Sequence, residues 1–550
     1  MNQKIKVGIL LTSYELTIAD YEMIEKIKNS DSSVLSVIIM YHQHQIIANY
    51  KSPFYVFYEA FDKALFKVSK NFSSKKNLQG LFVDIPQITV NSTSQSNSPE
   101  DISDDDCLLL KHYGLDIILQ AGTFQIAHKL INIAKYGVWV TKLYDSKAIK
   151  TGPPLYWDFV NKTGELGSVV QILNEDQEKT TTIYRSWELM NHYSLNINRS
   201  RVFGRASLYI PRIINGLYTH GESYLTYLTK RFNKDIEFDT HRNCGYPTSL
   251  NALKNLISIF IVILKHLFKK IFYLDYWFLL VKVNDKYQSF STSFPKFIRV
   301  DSPKDRFWAD PFIISRNNKY FLFVEEFIIQ TKKGHISVLE IDKTGKCLSS
   351  KTIIDQPYHM AYPFIFENDG MFYMIPDTSQ NKTIELYKCN SFPDKWELVK
   401  VLMNNIYAAD TTLFYTNNKW WLFTSIDETG NNSGYDSELF LFFAEDFMST
   451  EWKAHPQNPI IADAKNARGA GRIFTYNNQI FRPSQYCRGN YGKGFNLNRI
   501  EVLTENEYKE EAYTRVIPEW DTKIKGTHTF NFDGDFTVID AFTHRSRLWS

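Results

Sequence analysis

The sequence predicts an α/β open parallel sheet followed by an all-β five-bladed propeller, with a helical linker between them. Three observations carry this. Residues 1–200 alternate apolar strand-like runs with amphipathic helical stretches. Residues 201–285 are dominated by helical apolar patterning. From 286 to 550, a unit of strand, tight turn and aromatic strand recurs five times. At ~100–200 residues per domain the chain has room for several. Its 44% hydrophobic and 22% charged residues exclude a mainly disordered or collagen-like chain. Aromatic residues make up 15% of the chain, which favours strands.

The first part opens with KVGILLTS, a buried strand. LTIADYEMIEKIKNS follows as a helix with Ile18, Met23, Ile24 and Ile27 on one side. SVLSVIIMY is continuously apolar, as parallel strands are. Beyond the polar loop NSTSQSNSPEDISDDD come LDIILQAG as a strand, FQIAHKLINIAK as a helix and GVWVTKLYD as a strand. This order implies an open sheet with its site at the carboxyl ends of the strands.

In the second part, the stretch from Asn255 to Leu264 lies between Lys254 and Lys265. It is too short to span a bilayer, which needs ~20 apolar residues. Lys254, Lys265 and Lys269 share a narrow arc at helical spacing, which leaves a broad apolar face. Two readings stand open: an interfacial helix resting on anionic lipid through residues 251–274, or a linker helix buried between domains.

The third part compares ADPFIISRNNKYFLFVEE, AYPFIFENDGMFYMIPDT, ADTTLFYTNNKWWLFTS, GAGRIFTYNNQIFRPSQ and THTFNFDGDFTVIDAF. Each is two antiparallel strands around an Asn/Asp/Gly turn suited to φ > 0. Starts at 310, 362, 410, 470 and 528 give a period of 48–60 residues, enough for four strands per blade. In a propeller the innermost strands face one axis. Asp310, Tyr362, Asp410, Ala470 and His528 should therefore converge, with Arg468, Arg482, Gln485 and Glu438 near them. Acids and aromatic rings around an axis suit a carbohydrate. The acids could also perform glycoside chemistry or hold a divalent cation, or simply cap turns beside strands. No metal ligand set is assigned. His359 reads as a structural histidine.

The charge balance, 63 basic against 60 acidic residues, gives no argument for nucleic acid. Neither GxGxxG nor GxxxxGK[ST] occurs. Five scattered cysteines without a CxxC pair suggest neither a zinc site nor a disulfide framework. The apolar run Val7–Leu11 is too short for a secretory signal. A cytoplasmic protein is expected, with contact at the inner face of the membrane if the interfacial reading of 251–274 holds.

The segment LDIILQAGTFQIAHKLINIAKYGVWVTKLYDSKAIKTGPPLYWDFVNK resembles the formyltransferase catalytic domain. That family has a strand ending in Asn-x-His, then a loop whose Arg-Gly-x-x-Pro segment leads into a helix. Here the loop matches as Lys150-Thr151-Gly152-Pro153-Pro154, which places Val140 and Lys142 where the family has its asparagine and histidine. The resemblance implies Lys142 and Asp176 as catalytic positions; Asp145 follows the strand end closely enough to join them, or simply caps the loop. Gly122, Lys150 and Gly152 would shape the cofactor site, and the implied formyl donor is 10-formyltetrahydrofolate. Lysine at its ordinary pKa is a poor base near neutrality, so the two replacements weaken the expected activity at its centre.

FWADPFI with FLFVEE, PYHMAYPFIF with MFYMIP, FPDKWELVKVLM, and AADTTLF with KWWLF resemble the N-terminal domain of glucosamine inositolphosphorylceramide transferases. This resemblance implies a setting in glycan or glycolipid assembly. The leading expectation is a transferase acting on an amino-sugar or sugar-nucleotide acceptor, with a propeller that binds glycan or glycolipid. Chemistry centred in the propeller, and a binding protein without turnover, are the alternatives.

Overall fold

The computed structural model of the chain describes residues 3–42, 51–92, 101–143, 152–174, 180–234, 245–283, 290–430 and 434–547. The chain divides into two compact units, Met1–Val262 and Ile263–Ser550.

The first unit is built on a seven-stranded sheet. Its order is Gln87–Asn91, Ser33–His42, Ile5–Leu11, Ile117–Gln120, Val138–Lys142, Glu165–Leu173, Thr180–Leu189. The first five strands are parallel, and the last two add antiparallel pairs at one edge. The sheet is therefore mixed, where the sequence predicts a parallel one. The order reverses between Ile5–Leu11 and Ile117–Gln120, which is the switch point where open sheets form a crevice at their carboxyl ends. Leu10, Ile39, Tyr41, Ile118 and Val138 form the core on one side of the sheet.

The expected helix over 124–135 is absent. Only the single 3₁₀ turn His128–Leu130 forms there. The Gln120 side chain donates to the Phe124 carbonyl at 2.8 Å, taking the acceptor a helix would need at that point. Ile126, Ala127, Leu130 and Ala134 still reach the core, so burial is achieved without the helix.

The expected linker over 201–285 also divides differently. The helices Leu195–Ala206, Tyr209–His220 and Glu222–Phe232 belong to the first unit. Ser168 in the sheet bonds the Tyr209 hydroxyl at 3.0 Å, and Ile210, Ile213, Ile214 and Leu217 are buried. The helix Ser249–Phe272 follows. Tyr273–Val283 is not linker at all: it is a strand paired along its length with Phe536–Ser546. Its run of aromatic and aliphatic residues is a buried-strand pattern, and ring closure supplies the partner.

The second unit holds five four-stranded sheets. Four are sequential. The first runs Arg306–Arg316, Lys319–Ile328, Lys333–Ile341 and Cys347–Ile354; the second starts at Ala361–Asn368, the third at Ala408–Thr416 and the fourth at Phe474–Tyr476. The fifth takes strands from both ends of the unit: Ile298–Val300, Tyr273–Val283, Phe536–Ser546 and Phe530–Asp533. This is the five-bladed propeller. Four hairpin turns place both central residues at positive φ: Asn317-Asn318, Asp369-Gly370, Asn417-Asn418 and Asn477-Asn478. The Asn- and Gly-rich turns exist for that geometry.

One irregularity repeats in the innermost strands. Pairing slips between Ala309 and Phe312, between Ala361 and Phe364, and between Ala409 and Thr412. The residues inside these bulges, Asp310, Tyr362 and Asp410, have φ of 49°, 43° and 53°. Asp tolerates that region better than most residues, whereas for a bulky Tyr it is an outlier. Three left-handed positions thus meet at one axis, held there by the strands around them.

Candidate functional site at the propeller axis

The bulges turn Asp310, Tyr362 and Asp410 toward one another, and cross-blade bonds lock them. Asp310 Oδ2 accepts from the Tyr362 backbone N–H at 3.3 Å. The Tyr362 hydroxyl accepts from the Gly471 N–H at 2.8 Å and shares a 2.9 Å bond with Thr412 Oγ1. His528 joins from the fifth blade, with Nε2 3.6 Å from Asp310 Oδ1 and Nδ1 2.5 Å from Asp540 Oδ2. Asp540 also accepts the backbone N–H groups of His528, Thr529 and Asp310. Thr529 Oγ1 donates to Asp310 Oδ1 at 2.7 Å.

Arg468 holds the other side. Its Nε donates to Asp410 Oδ2 at 2.5 Å and its Nη1 to Asp436 at 3.1 Å. Gln485 donates to the same Asp410 oxygen at 3.3 Å. Arg482 lines a small cavity together with Asp410, Gly469 and Gly471 and bonds outward. It is buried in the fourth blade and makes a bidentate pair with Glu510, at 2.8 and 2.6 Å. Glu438 is fully buried at the start of Leu439–Ala444. The fourth blade brings Ala470 to the ring without a functional group, and Gly471 beside it sits at φ 134°.

Several site residues escaped the sequence reading. Glu325 and Asp377 stand opposite Ala309 and Ala361 on the second strands of their blades, and Ser425 stands opposite Ala409. Asp540 occupies the second strand of the fifth blade. In the first three blades Glu325, Asp377 and Ser425 each lie two residues past the partner of Phe312, Phe364 and Thr412, and that phase is the signal that could have found them, whereas Asp540 lies one residue past Ile539, the partner of Phe530, and is out of that phase. The mouth is aromatic. Trp277 stacks on the His528 ring at 4.2 Å, and Tyr491 meets it edge-on at 5.3 Å. Arg468 lies over the Tyr491 ring, which is 40% exposed in its residue surface.

The electrostatics follow from burial. Burial pushes Asp410 up to about 7, with Arg468 pulling the other way. It raises Asp310 against the pull of His528, and it lifts Glu325 well above the carboxylate range with help from Asp310. Burial opposes charge on His528, yet Asp540 and Asp310 outweigh it and raise the imidazole to about 9. Near neutrality His528 is therefore a cation, while protons are retained among the acids. His359 Nδ1 accepts from the Gly334 N–H at 2.9 Å and its Nε2 lies 3.4 Å from Glu325. Burial lowers its pKa.

Asp310, His528 and Asp540 each offer a ligand atom within 4.8 Å of one another. A cation there would have to displace an imidazolium proton, on Nδ1 against Asp540 or on Nε2 facing Asp310, so His528 already supplies a positive charge to the two carboxyl groups. What the ring can do is chemically definite. It gathers buried carboxyl groups, an imidazolium and a guanidinium beside the half-buried Trp277 and the partly exposed Tyr491. This combination can donate to and accept from several hydroxyl groups at once.

In the first unit, Lys142 ends the strand Val138–Lys142, half-buried, and burial lowers its pKa. Val140 is buried between Gln120 and Gln171 in neighbouring strands. Gly122 follows the strand beside the switch point with φ 95°, and a Cβ there would come 3.2 Å from Leu16. Gly152 is half-buried just before the helix Tyr156–Val160. Asp145, Lys150 and Asp176 lie outside the described residues.

Residues 298–537 match the family profile described as glucosamine inositolphosphorylceramide transferase 1, N-terminal. Glucosamine inositolphosphorylceramide transferase 1 of Oryza sativa subsp. japonica is 35% identical over 228 residues, 41% of this chain and 30% of that protein. Its counterpart in Arabidopsis thaliana is 32% identical over 207 residues, 37% of this chain and 27% of that protein. The chain thus spans less than a third of the length of these curated relatives. Among solved structures, a family 117 glycoside hydrolase from Zobellia galactanivorans aligns at TM-score 0.33 and 11% identity, over 48% of this chain and 90% of that one. A phosphoribosylglycinamide formyltransferase from Anaplasma phagocytophilum aligns at 0.28 and 10%, over 40% and 88%. The propeller, by its repeated motifs and its identity over more than 200 residues, resembles the N-terminal domain of the glucosamine inositolphosphorylceramide transferases.

Proposed function

We propose that the chain is a transferase of glycan or glycolipid assembly whose propeller axis holds the sugar. The observation that carries this is the ring itself: Asp310, Glu325 and Asp410 keep raised proton affinities beside Arg468 and His528. Sugar hydroxyls both donate and accept, so a ring of mixed protonation meets them in either role. The exposed Tyr491 offers an apolar face beside it. The curated relatives are named for glucosamine and inositolphosphorylceramide, which makes a hexosamine and an inositol-phosphate glycolipid headgroup the first ligands to try.

In this reading the α/β unit carries the transfer step. The formyltransferase resemblance supplies its chemistry: formyl transfer from 10-formyltetrahydrofolate to an amino sugar, in the cytoplasm. Of the described residues, Lys142 suits the attacking amine in that crevice, because burial moves the lysine toward its neutral form, which can take the proton that the amine loses, and Gly122 keeps the chain beside it small. Asp145, Asp176, Lys150 and Gly152 complete the proposed set.

Calorimetric titration of the full chain with glucosamine and with inositol phosphate tests the propeller site. Binding should weaken at least tenfold in Asp410→Asn, since a hydrogen bond to a charged group is worth about 1.5–3 kcal/mol. Equal affinity in Asp410→Asn and Asp310→Asn would remove the sugar from the axis. A thermal shift with 5-formyltetrahydrofolate, lost in Lys142→Glu, tests the folate part separately.

A second reading has one observation in its favour. Asp410, held at about 7, is poised as a general acid for a glycosidic bond. It requires Asp310→Asn to abolish turnover and Lys142→Ala to leave it intact. The reverse sensitivities would return the chemistry to the α/β unit.

A further inference from the structure

The helix Ser249–Phe272 carries an apolar face that nothing among the described residues covers. Leu250, Ile257, Phe260, Leu264, Phe268 and Ile271 are all exposed, over 49% to 63% of their surface. At about 100° per residue these six fall within an arc of roughly 80°. The opposite side of the helix is the buried one, with Ala252, Ile259 and Ile263. The exposed stripe is therefore separate from the face that packs, and it runs for about 32 Å at ~1.5 Å per residue. Among the described residues no helix is long and apolar enough to cross a membrane.

The charges are arranged to match. The 24 residues of the helix contain no Asp or Glu. Lys254, Lys265 and Lys269 follow one edge of the stripe, at about 40–100° from its Leu250 end-on direction. Lys269 also reaches Asp275 at 3.1 Å, which leaves Lys254 and Lys265 as the cations best placed to meet an outside anion. Phe54 and Phe57, on the helix Pro53–Leu65, are exposed as well. Ser52 at the start of that helix meets Ser249 at 3.3 Å.

We infer that this face docks on an anionic bilayer surface, with the helix lying in the plane of the interface. Apolar side chains then enter the acyl boundary while the lysine edge meets lipid phosphate. A second copy of the chain fits less well. Two such stripes packed together would bring their lysine edges near one another with no acid on either helix to answer them. This inference goes beyond the sugar site at the propeller axis and does not rest on it; it would bring a soluble-looking chain to the surface where lipid-linked acceptors reside.

Co-flotation of the full chain with vesicles gives the test. One set is pure phosphatidylcholine and the other contains about a third phosphatidylglycerol. The expected result is flotation with the anionic vesicles alone, lost at high salt because the attraction is screened. Lys254→Gln with Lys265→Gln should weaken it about 25-fold, at about fivefold per lysine near a charged surface. Phe260→Ser with Phe268→Ser should abolish it. Both pairs change exposed side chains, and an unchanged melting temperature confirms that each variant is folded. Absence of flotation with anionic vesicles, or flotation indifferent to both variants, overturns the proposal. So does a concentration-dependent dimer that the Phe260→Ser and Phe268→Ser variant dissolves, because a second copy would then cover the face.

Discussion

His528 shows how much a single residue in the ring controls. Its imidazole is clamped between Asp540 at 2.5 Å and Asp310 at 3.6 Å. Its folded pKa of about 9 lies above the ordinary value of 6.5. A base with a raised folded pKa stabilises the fold fully below its unfolded pKa and loses that contribution as pH rises through the folded one. The window is therefore pH 6.5 to 9. Across it the chain should lose on the order of 3 kcal/mol. Asp410 also holds its proton more tightly when folded, so it too favours lower pH. Its window, however, runs from about 4 to about 7 and closes before that of His528 opens fully. Urea midpoints at pH 6, 7.5 and 9 check this, with His528→Gln as the control. Asp540 keeps three backbone donors in that variant, so it should fold, and its midpoint should fall less over the same range than that of the wild type, the remaining slope coming from the raised Glu325 and Asp410. A wild-type midpoint that stays level from pH 6.5 to 9 would mean that His528 is not an imidazolium in the folded protein.

At the scale of the element, the inner strands were half legible. The Asn- and Gly-bearing turns announce hairpins because only φ > 0 at both central positions suits the twist of the strands. The bulges were not legible, since nothing in Ala309-Asp310-Pro311 by itself requires a left-handed aspartate. The convergence of five strands requires it, and that is tertiary information. The same gap explains why the funnel prediction brought Asp310, Tyr362, Asp410 and His528 together but did not show how Arg482 is held. Its partner Glu510 lies two strands further out in the same blade, where spacing along the inner strand cannot show it. The fourth blade tests how tightly the ring is drawn. A Cβ on Gly471 would sit 2.1 Å from the Phe530 carbonyl oxygen, at a φ that L-residues rarely adopt. On Gly469 it would sit 3.1 Å from the Asp410 carbonyl and 3.2 Å from the Tyr362 hydroxyl. Gly471→Ala should therefore cost more than ~3 kcal/mol, because a backbone carbonyl of the next blade must move. Gly469→Ala should cost nearer ~1 kcal/mol. Denaturant unfolding of both variants checks the order, and equal costs would show that the fourth and fifth blades are not in close contact at the axis.

At the scale of the whole molecule, the repeat identified five blades but put the start of the propeller at 286, thirteen residues past its first strand at Tyr273. The reason is physical. The fifth blade is assembled from two distant pieces of chain, and its outer half, Tyr273–Val283 and Ile298–Val300, carries no copy of the strand–turn–strand unit. Read alone, YLDYWFLLVKV continues the apolar character of the preceding helix. Only the presence of Phe536–Ser546, more than 250 residues later, gives it eleven paired positions. A ring closed in this way has no free sheet edge between its first and last blades, and the closing strand is what removes the edge. A fragment beginning at 286 would leave Phe536–Ser546 with one unpaired side, and by removing Phe278 and Leu280 it would uncover Ile539 and Ala541, which share a buried cluster with them. A fragment covering 263–550 retains the closing strand. The two should therefore differ in kind. The longer one should unfold cooperatively in urea, and the shorter one should be aggregated or open to protease throughout. If the 286–550 fragment unfolds with the same midpoint and slope as the 263–550 fragment, the Tyr273–Val283 strand contributes nothing to closure and the fifth blade stands on its last two strands alone.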